Sequence, residues 1–237
     1  MLGIFSKTID PGVVESAGYG GLDFIILDQE HGNVPLHILE NLVRAAKISG
    51  ITSIVRVSEL NANKIGAALD VGSDGVQVPN IATPDQAKKA VKAAKFHPEG
   101  ERGVCRFVPA ADYGTMEKAS YFSNANKKMV VLQVEGTEGI GNIDEILKIK
   151  GIDVLFIGPY DLSQSLGVPG EINHPKVIEV IKETAIKAKH AGIKLGTFCD
   201  DFDLVRIMQR LGFSYIAYSV DMNIFANACR SIIKELK

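Results

Sequence analysis

Eight short apolar runs recur along the whole chain, with helix-like segments between them. They are LGIFS (2–6), LDFIILD (22–28), TSIVRVS (52–58), GVQVPN (75–80), MVVLQVE (129–135), DVLFIG (153–158), KLGTFCD (194–200) and YIAYSVD (215–221). Each is rich in Val, Ile, Leu or Phe, and most are apolar on both faces. A strand wetted on one side alternates; a strand covered on both sides does not, so these runs read as parallel strands under helices. The segment 35–49 opens with a proline in its first turn and repeats apolar residues at helical spacing. Thr83 reads as an N-cap for 83–95, and 174–192 ends in lysines, His190 and Gly192. Residues 222–237 form a last helix with Ile224, Phe225, Ala228, Ile232 and Leu236 on a broad apolar face. Eight strand–helix units in 237 residues predict an α/β fold, a closed (β/α)8 barrel forming a single domain over residues 1–237. A doubly wound open sheet shares this periodicity. No linker-like composition divides the chain.

Charge and composition exclude several classes of function. Lys and Arg total 26 against 28 acids, with no basic cluster, which argues against nucleic acid as a partner. No apolar stretch reaches membrane-spanning length, and the N-terminus lacks a charged-then-apolar signal pattern. Cys105, Cys199 and Cys229 are far apart and form no CxxC, so they read as buried small hydrophobes of a reducing cytoplasm.

In a (β/α)8 enzyme the chemistry sits at the C-terminal ends of the strands. Here the second strand ends in Asp28, Glu30 and His31, the third in Arg56, the fifth in Gln133 and Glu135, and the sixth runs into GPYDLS with Asp161. The opposite ends offer nothing comparable. Glu135 and Asp161 come from consecutive strands, and two carboxylates completed by water and an oxygen-rich ligand suit Mg²⁺ or Mn²⁺; Asp161 could instead cap a helix. Arg56, near the end of an apolar strand, needs either a protein carboxylate or a substrate anion. His31 reads as a turn residue or as a general base held in one tautomer by a carboxylate. Asp70 ends a helical run, where capping and turn formation are its ordinary roles. Lys7 is the only lysine near a strand's C-terminal end, so a Schiff-base mechanism has little to draw on. The segment 96–114, with two prolines, three glycines and two arginines, reads as a loop over the mouth of the barrel.

The stretches LDQEHG, IVRVS, ALDVGSDGVQVP, GERGV, LQVEG and FIGPYDLSQSLG, in this order and spacing, resemble the HpcH/HpaI aldolase family across essentially the whole chain. That family contains class II, metal-dependent pyruvate aldolases, among them 4-hydroxy-2-oxoheptanedioate and 2-dehydro-3-deoxyglucarate aldolases. The resemblance implies that Glu135 and Asp161 bind the metal (Mg²⁺ or Mn²⁺, with Co²⁺ an alternative) and that Arg56 contacts the keto oxygen. It implies that His31 is the catalytic histidine and Asp70 its partner. Gln133 would lie near bound pyruvate, the Pro159–Tyr160–Asp161 backbone beside its carboxylate, and Asp28 and Glu30 around metal-bound water. It further implies a homo-oligomer, a hexamer built from dimers that exchange their last helix. Tyr160 stands where many members carry alanine, and Cys105 where a small residue is frequent.

The reaction so implied is reversible cleavage of a 4-hydroxy-2-oxo acid to pyruvate and an aldehyde. Two other readings use the same scaffold. One is a lyase of acyl-CoA thioesters, for which Arg102 and Arg106 are the only candidate CoA contacts near the mouth; the other is a barrel that binds a metabolite without catalysis.

Overall fold

The computed structural model describes residues 1–237. Eight parallel strands, β1 (Leu2–Ser6), β2 (Phe24–Asp28), β3 (Thr52–Arg56), β4 (Gly75–Val78), β5 (Met129–Val134), β6 (Val154–Ile157), β7 (Lys194–Cys199) and β8 (Tyr215–Val220), close into a barrel in sequence order. The fold is therefore the (β/α)8 barrel, and the open sheet is excluded because β1 pairs with β8.

Side chains alternate across each strand. Ile25 and Leu27 of β2 point outward and join a large layer with Val55, Val76, Val78 and the helices. Phe24 and Ile26 point inward and meet Phe5, Ile54, Val131, Val154, Phe156 and Tyr215 in the barrel's interior. Phe24 and Tyr215 stack there with ring centroids 3.9 Å apart. This parity positions the site. Asp28 follows Phe24 and Ile26, Arg56 follows Ile54, and Gln133 follows Val131, so each polar residue continues the inward row at the C-terminal end of its strand. Register reinforces it, with Asp28 opposite Arg56 and Arg56 opposite Gln77.

The helix Leu36–Ser49 begins one residue later than its sequence suggests: Pro35 is the N-cap, in extended conformation, rather than part of the first turn. Thr83 does cap the helix Pro84–Ala94, in a reciprocal capping box with Gln86. The last helix, Asp221–Leu236, buries only Asp221. Its Phe225, Ile232, Ile233 and Leu236 are exposed.

The segment 96–114 does not cover the mouth. It comes after the helix Pro84–Ala94 and precedes β5, and a helix-to-strand connection lies at the strands' N-terminal ends. Its contacts are of that end. Arg102 pairs with Asp70 after the helix Ala62–Asp70, and Ala110 packs near Gly72 in the turn before β4. Lys95, just before it, donates to the carbonyls of Asn126 (2.6 Å) and Lys128 (2.7 Å) below β5. The two arginines expected near the mouth are spent here: Arg106 donates to the carbonyls of Gly114 (3.1 Å) and Met116 (2.6 Å).

Candidate active site

Asp28 organises the turn after β2. Its Oδ1 accepts the backbone N–H of Glu30 (2.9 Å) and of His31 (3.2 Å). The turn closes so tightly that a Cβ on Gly32 would come within 2.1 Å of the Asp28 carbonyl, which explains the glycine after His31. The same carboxylate takes a two-point contact from Arg56, Nε at 2.9 Å and Nη2 at 2.7 Å. Burial raises the Asp28 pKa, but the bonds and charge of Arg56, with the two backbone donors, more than offset this, and the group stays below the usual carboxylate range.

Arg56 is thus held by protein carboxylates. Its Nη1 also lies 2.9 Å from Glu30 Oε2, close enough for an ion pair but not aligned as a hydrogen bond, and its guanidinium sits 4.7 Å over the Phe5 ring. So fixed, it still lines the cavity. Glu30 has its pKa raised, by burial first, against the opposing charges of Arg56 and His31.

Glu135, just past β5, is buried, and each of its oxygens accepts one bond. Oε1 takes the backbone N–H of Asn80 at 3.0 Å; Oε2 takes the Gln133 side chain, whose own carbonyl accepts from Gln77. Asn80 has φ 56°, the left-handed region, and its side chain also donates to Glu30 (3.1 Å), so one strained residue ties two acids together. A Cβ on Gly158 would stand 2.4 Å from Glu135 Oε2, so only glycine leaves that carboxylate room. Burial pushes the Glu135 carboxyl up to about 7; the Gln133 and Asn80 bonds oppose this, and the charges of Asp161 and Glu30 add to it.

Asp161 lies in the first turn of the helix Pro159–Ser165, but its carboxylate caps nothing. It is exposed to a cavity of about 240 Å³ that Glu135, Arg56, His31, Gln133, Asp28, Pro159 and Tyr160 also line. Phe5, Phe156, Phe198, Val220 and Lys7 complete the wall. No group of three His, Cys, Asp or Glu side chains converges as a closed cage. Glu135 and Asp161 could hold a hard divalent cation whose other positions go to water and ligand oxygens, and a carboxylate raised by burial, and further by its acidic neighbours, is one that such a cation would stabilise. Tyr160 donates its hydroxyl to Asp200, and burial with that bond pushes the phenol to about 12.

Within the chain Asp70 is not brought to His31. It sits at the other end of the barrel, paired with the buried Arg102, whose guanidinium stacks 4.8 Å from Phe96. A helix that runs back along its strand ends at the strands' N-terminal side, which is why Asp70 lies away from the mouth. The His31 imidazole has no hydrogen-bond partner in the chain. Sequence reasoning misses Gln77 and Asn80, although a glutamine inside the apolar run GVQVPN, with a turn asparagine after it, is a visible signal.

No helix is long and apolar enough to cross a membrane. The sequence model of the HpcH/HpaI aldolase/citrate lyase family matches residues 1–228. Over 237 residues the chain is 31% identical to the 2-dehydro-3,6-dideoxy-6-sulfogluconate aldolase of Pseudomonas putida, covering all of this chain and 92% of that protein. It is 34% identical to the hydroxypyruvate/pyruvate aldolase of Sagittula stellata, over 96% of this chain and 89% of that one. Among solved structures, a HpcH/HpaI aldolase/citrate lyase family protein from Burkholderia cenocepacia superposes with a TM-score of 0.94 at 30% identity, over 100% of this chain and 94% of that one. The strand-end acids, the guanidinium beside them and these likenesses over the full barrel converge: the chain belongs to the HpcH/HpaI aldolase/citrate lyase family and is a carbon–carbon lyase of the aldolase type.

Proposed function

We propose that this protein reversibly cleaves a 4-hydroxy-2-oxo acid into pyruvate and an aldehyde, with Mg²⁺ or Mn²⁺ held by Glu135 and Asp161. The observation that carries the reading is that these two carboxylates, from consecutive strand ends, line one cavity with Arg56 and His31. When bound, the cation supplies Lewis-acid polarisation of the substrate's keto oxygen. The chain's residues do the rest. Arg56, locked by Asp28, faces the C2 oxygen and stabilises the charge that grows there as the C3–C4 bond breaks. His31 takes the C4 hydroxyl proton in cleavage, and that proton, delivered to C3 of the enolate, completes pyruvate; condensation runs both transfers in reverse. Gln133 and the Pro159–Asp161 turn flank the pyruvate half, while Asp28 and Glu30 order the water beside the cation site.

The acyl-CoA reading loses its support, because Arg102 and Arg106 bond within the chain at the far end of the barrel. The deciding experiment is pyruvate enolisation: methyl-proton exchange in D₂O should require the protein and should stop with EDTA. Exchange that survives full chelation, with borohydride trapping pyruvate on a lysine, would favour a Schiff-base enzyme; no exchange at all would leave a passive binder. The bare apolar face of Asp221–Leu236 supports an assembly of dimers into a hexamer in which the helix packs on a neighbour, each chain working as one barrel domain. Cys199 is buried as its sequence suggests, but Cys105 and Cys229 are exposed; three free thiols suit a reducing cytoplasm.

A further inference from the structure

The cavity has two unlike halves. Glu135 rises from β5 and Lys7 comes directly after β1, four strands away in a barrel of eight, so the lysine stands diametrically across from the carboxylate that would hold the oxo-acid end. On the side of β6 and β7 the wall between them is apolar, formed with Phe5 by Phe156 and Phe198, whereas the side of β2 and β3 carries Asp28, His31 and Arg56. Lys7 and Arg56 are the only lysine or arginine side chains lining the cavity, and Arg56 is already engaged by Asp28 and Glu30.

Nothing in the chain engages the Lys7 ammonium, although acids lie close by. Asp221 accepts Ser6 Oγ (2.8 Å), the backbone N–H of Lys7 (3.1 Å) and Thr8 (3.1 Å), and that of Met222 (2.8 Å). It therefore fixes the backbone that carries the lysine and leaves the side chain to the cavity. Asp200, on the same rim, accepts the Tyr160 hydroxyl. The lysine itself is exposed.

We infer that Lys7 recognises an anionic group on the aldehyde half of the substrate, so that this enzyme prefers acidic aldehydes to neutral ones. The inference rests on the aldol reading of the cavity. The substrate's keto end lies at Glu135 and Asp161, its chain crosses the aromatic wall, and its far end meets the ammonium. Lysine suits this task as a mobile point charge that can follow carboxylates at different chain lengths.

The test measures condensation of pyruvate with 4-oxobutanoate and with its neutral methyl ester, which differ in charge at the far end. The wild type should favour the anion in kcat/KM by tenfold or more, through the KM of the aldehyde, and the preference should narrow as salt rises. Lys7→Met should reduce the anion-to-ester ratio at least tenfold, and Lys7→Arg should retain it. A ratio unchanged in Lys7→Met, or a wild type that accepts both equally, overturns the inference while pyruvate enolisation in the wild type still stands. Absence of that enolisation overturns the aldol reading and the inference together.

Discussion

Arg56 and Asp28 occupy paired register positions on neighbouring strands and meet through two parallel hydrogen bonds of 2.9 and 2.7 Å, both side chains buried. The guanidinium is therefore aimed before any ligand arrives. Arg56→Ala should lower kcat by about two to three decades, the cost of removing one preorganised donor. Arg56→Lys should recover little, since an ammonium cannot reproduce the two-point contact. Asp28→Ala should instead lower stability by about 3 kcal/mol, which denaturant melts will show, since it removes the two-point partner of a buried guanidinium and leaves it only Glu30.

Loss of the cation should end turnover. EDTA should abolish pyruvate release, and added Mg²⁺, Mn²⁺ or Co²⁺ should restore it. Glu135→Gln and Asp161→Asn should each lose Mn²⁺ binding, measured by electron paramagnetic resonance, while keeping the barrel's circular dichroism.

Glu135 sets a pH dependence. Its carboxyl is raised by burial from 4.5 to about 7, so the metal-free protein holds this proton where the unfolded chain has released it. The stability so gained is fully present below about pH 4.5 and is lost as pH rises through about 7, a change on the order of 3 kcal/mol. In EDTA the Tm of the wild type should therefore fall across this window relative to Glu135→Gln. Because the ligand form is the carboxylate, Mn²⁺ binding at pH 6 should release nearly one proton and at pH 8 far less, which calorimetry in buffers of different ionisation enthalpy will resolve.

Asp70 and Arg102 should behave as a structural pair. Asp70→Ala leaves a buried guanidinium without its carboxylate and should cost about 3 kcal/mol of stability. A second substitution, Arg102→Met, should recover much of that loss. With Arg102→Met alone as the third variant, a loss in the double variant equal to the sum of the two single losses would show that the pair is not coupled.

The bare helix face should be covered in solution. Phe225→Glu should shift the light-scattering mass toward the single chain. An unchanged mass would place the subunit contacts elsewhere.

The eight strands are legible because strands buried on both faces must be apolar throughout, and the polar residues at their ends stand out against that background. Asp28, Arg56 and Glu135 need no more than this rule and inward parity; Glu30 and Asp161 stand just past the ends of β2 and β6. The Arg56 partner is not legible, since register between β2 and β3 decides it and register is a property of the closed sheet. The expectation that 96–114 covers the mouth fails on chain order alone: a segment between a helix and the next strand returns to the barrel's base. Asp70 and the two arginines belong to that base for the same reason. Asn80 escapes because its part depends on a left-handed backbone that composition does not announce.

The Asp221 latch joins residues 215 positions apart: its carboxylate grips Ser6, Lys7 and Thr8, and β8 zips onto β1 beside it. During synthesis the sheet therefore keeps two naked edges until almost the whole chain has left the ribosome, and exposed edges recruit other strands. The nascent protein should be most vulnerable to aggregation just before closure, so a translational stall shortly ahead of Tyr215 would do more harm than one at any earlier strand.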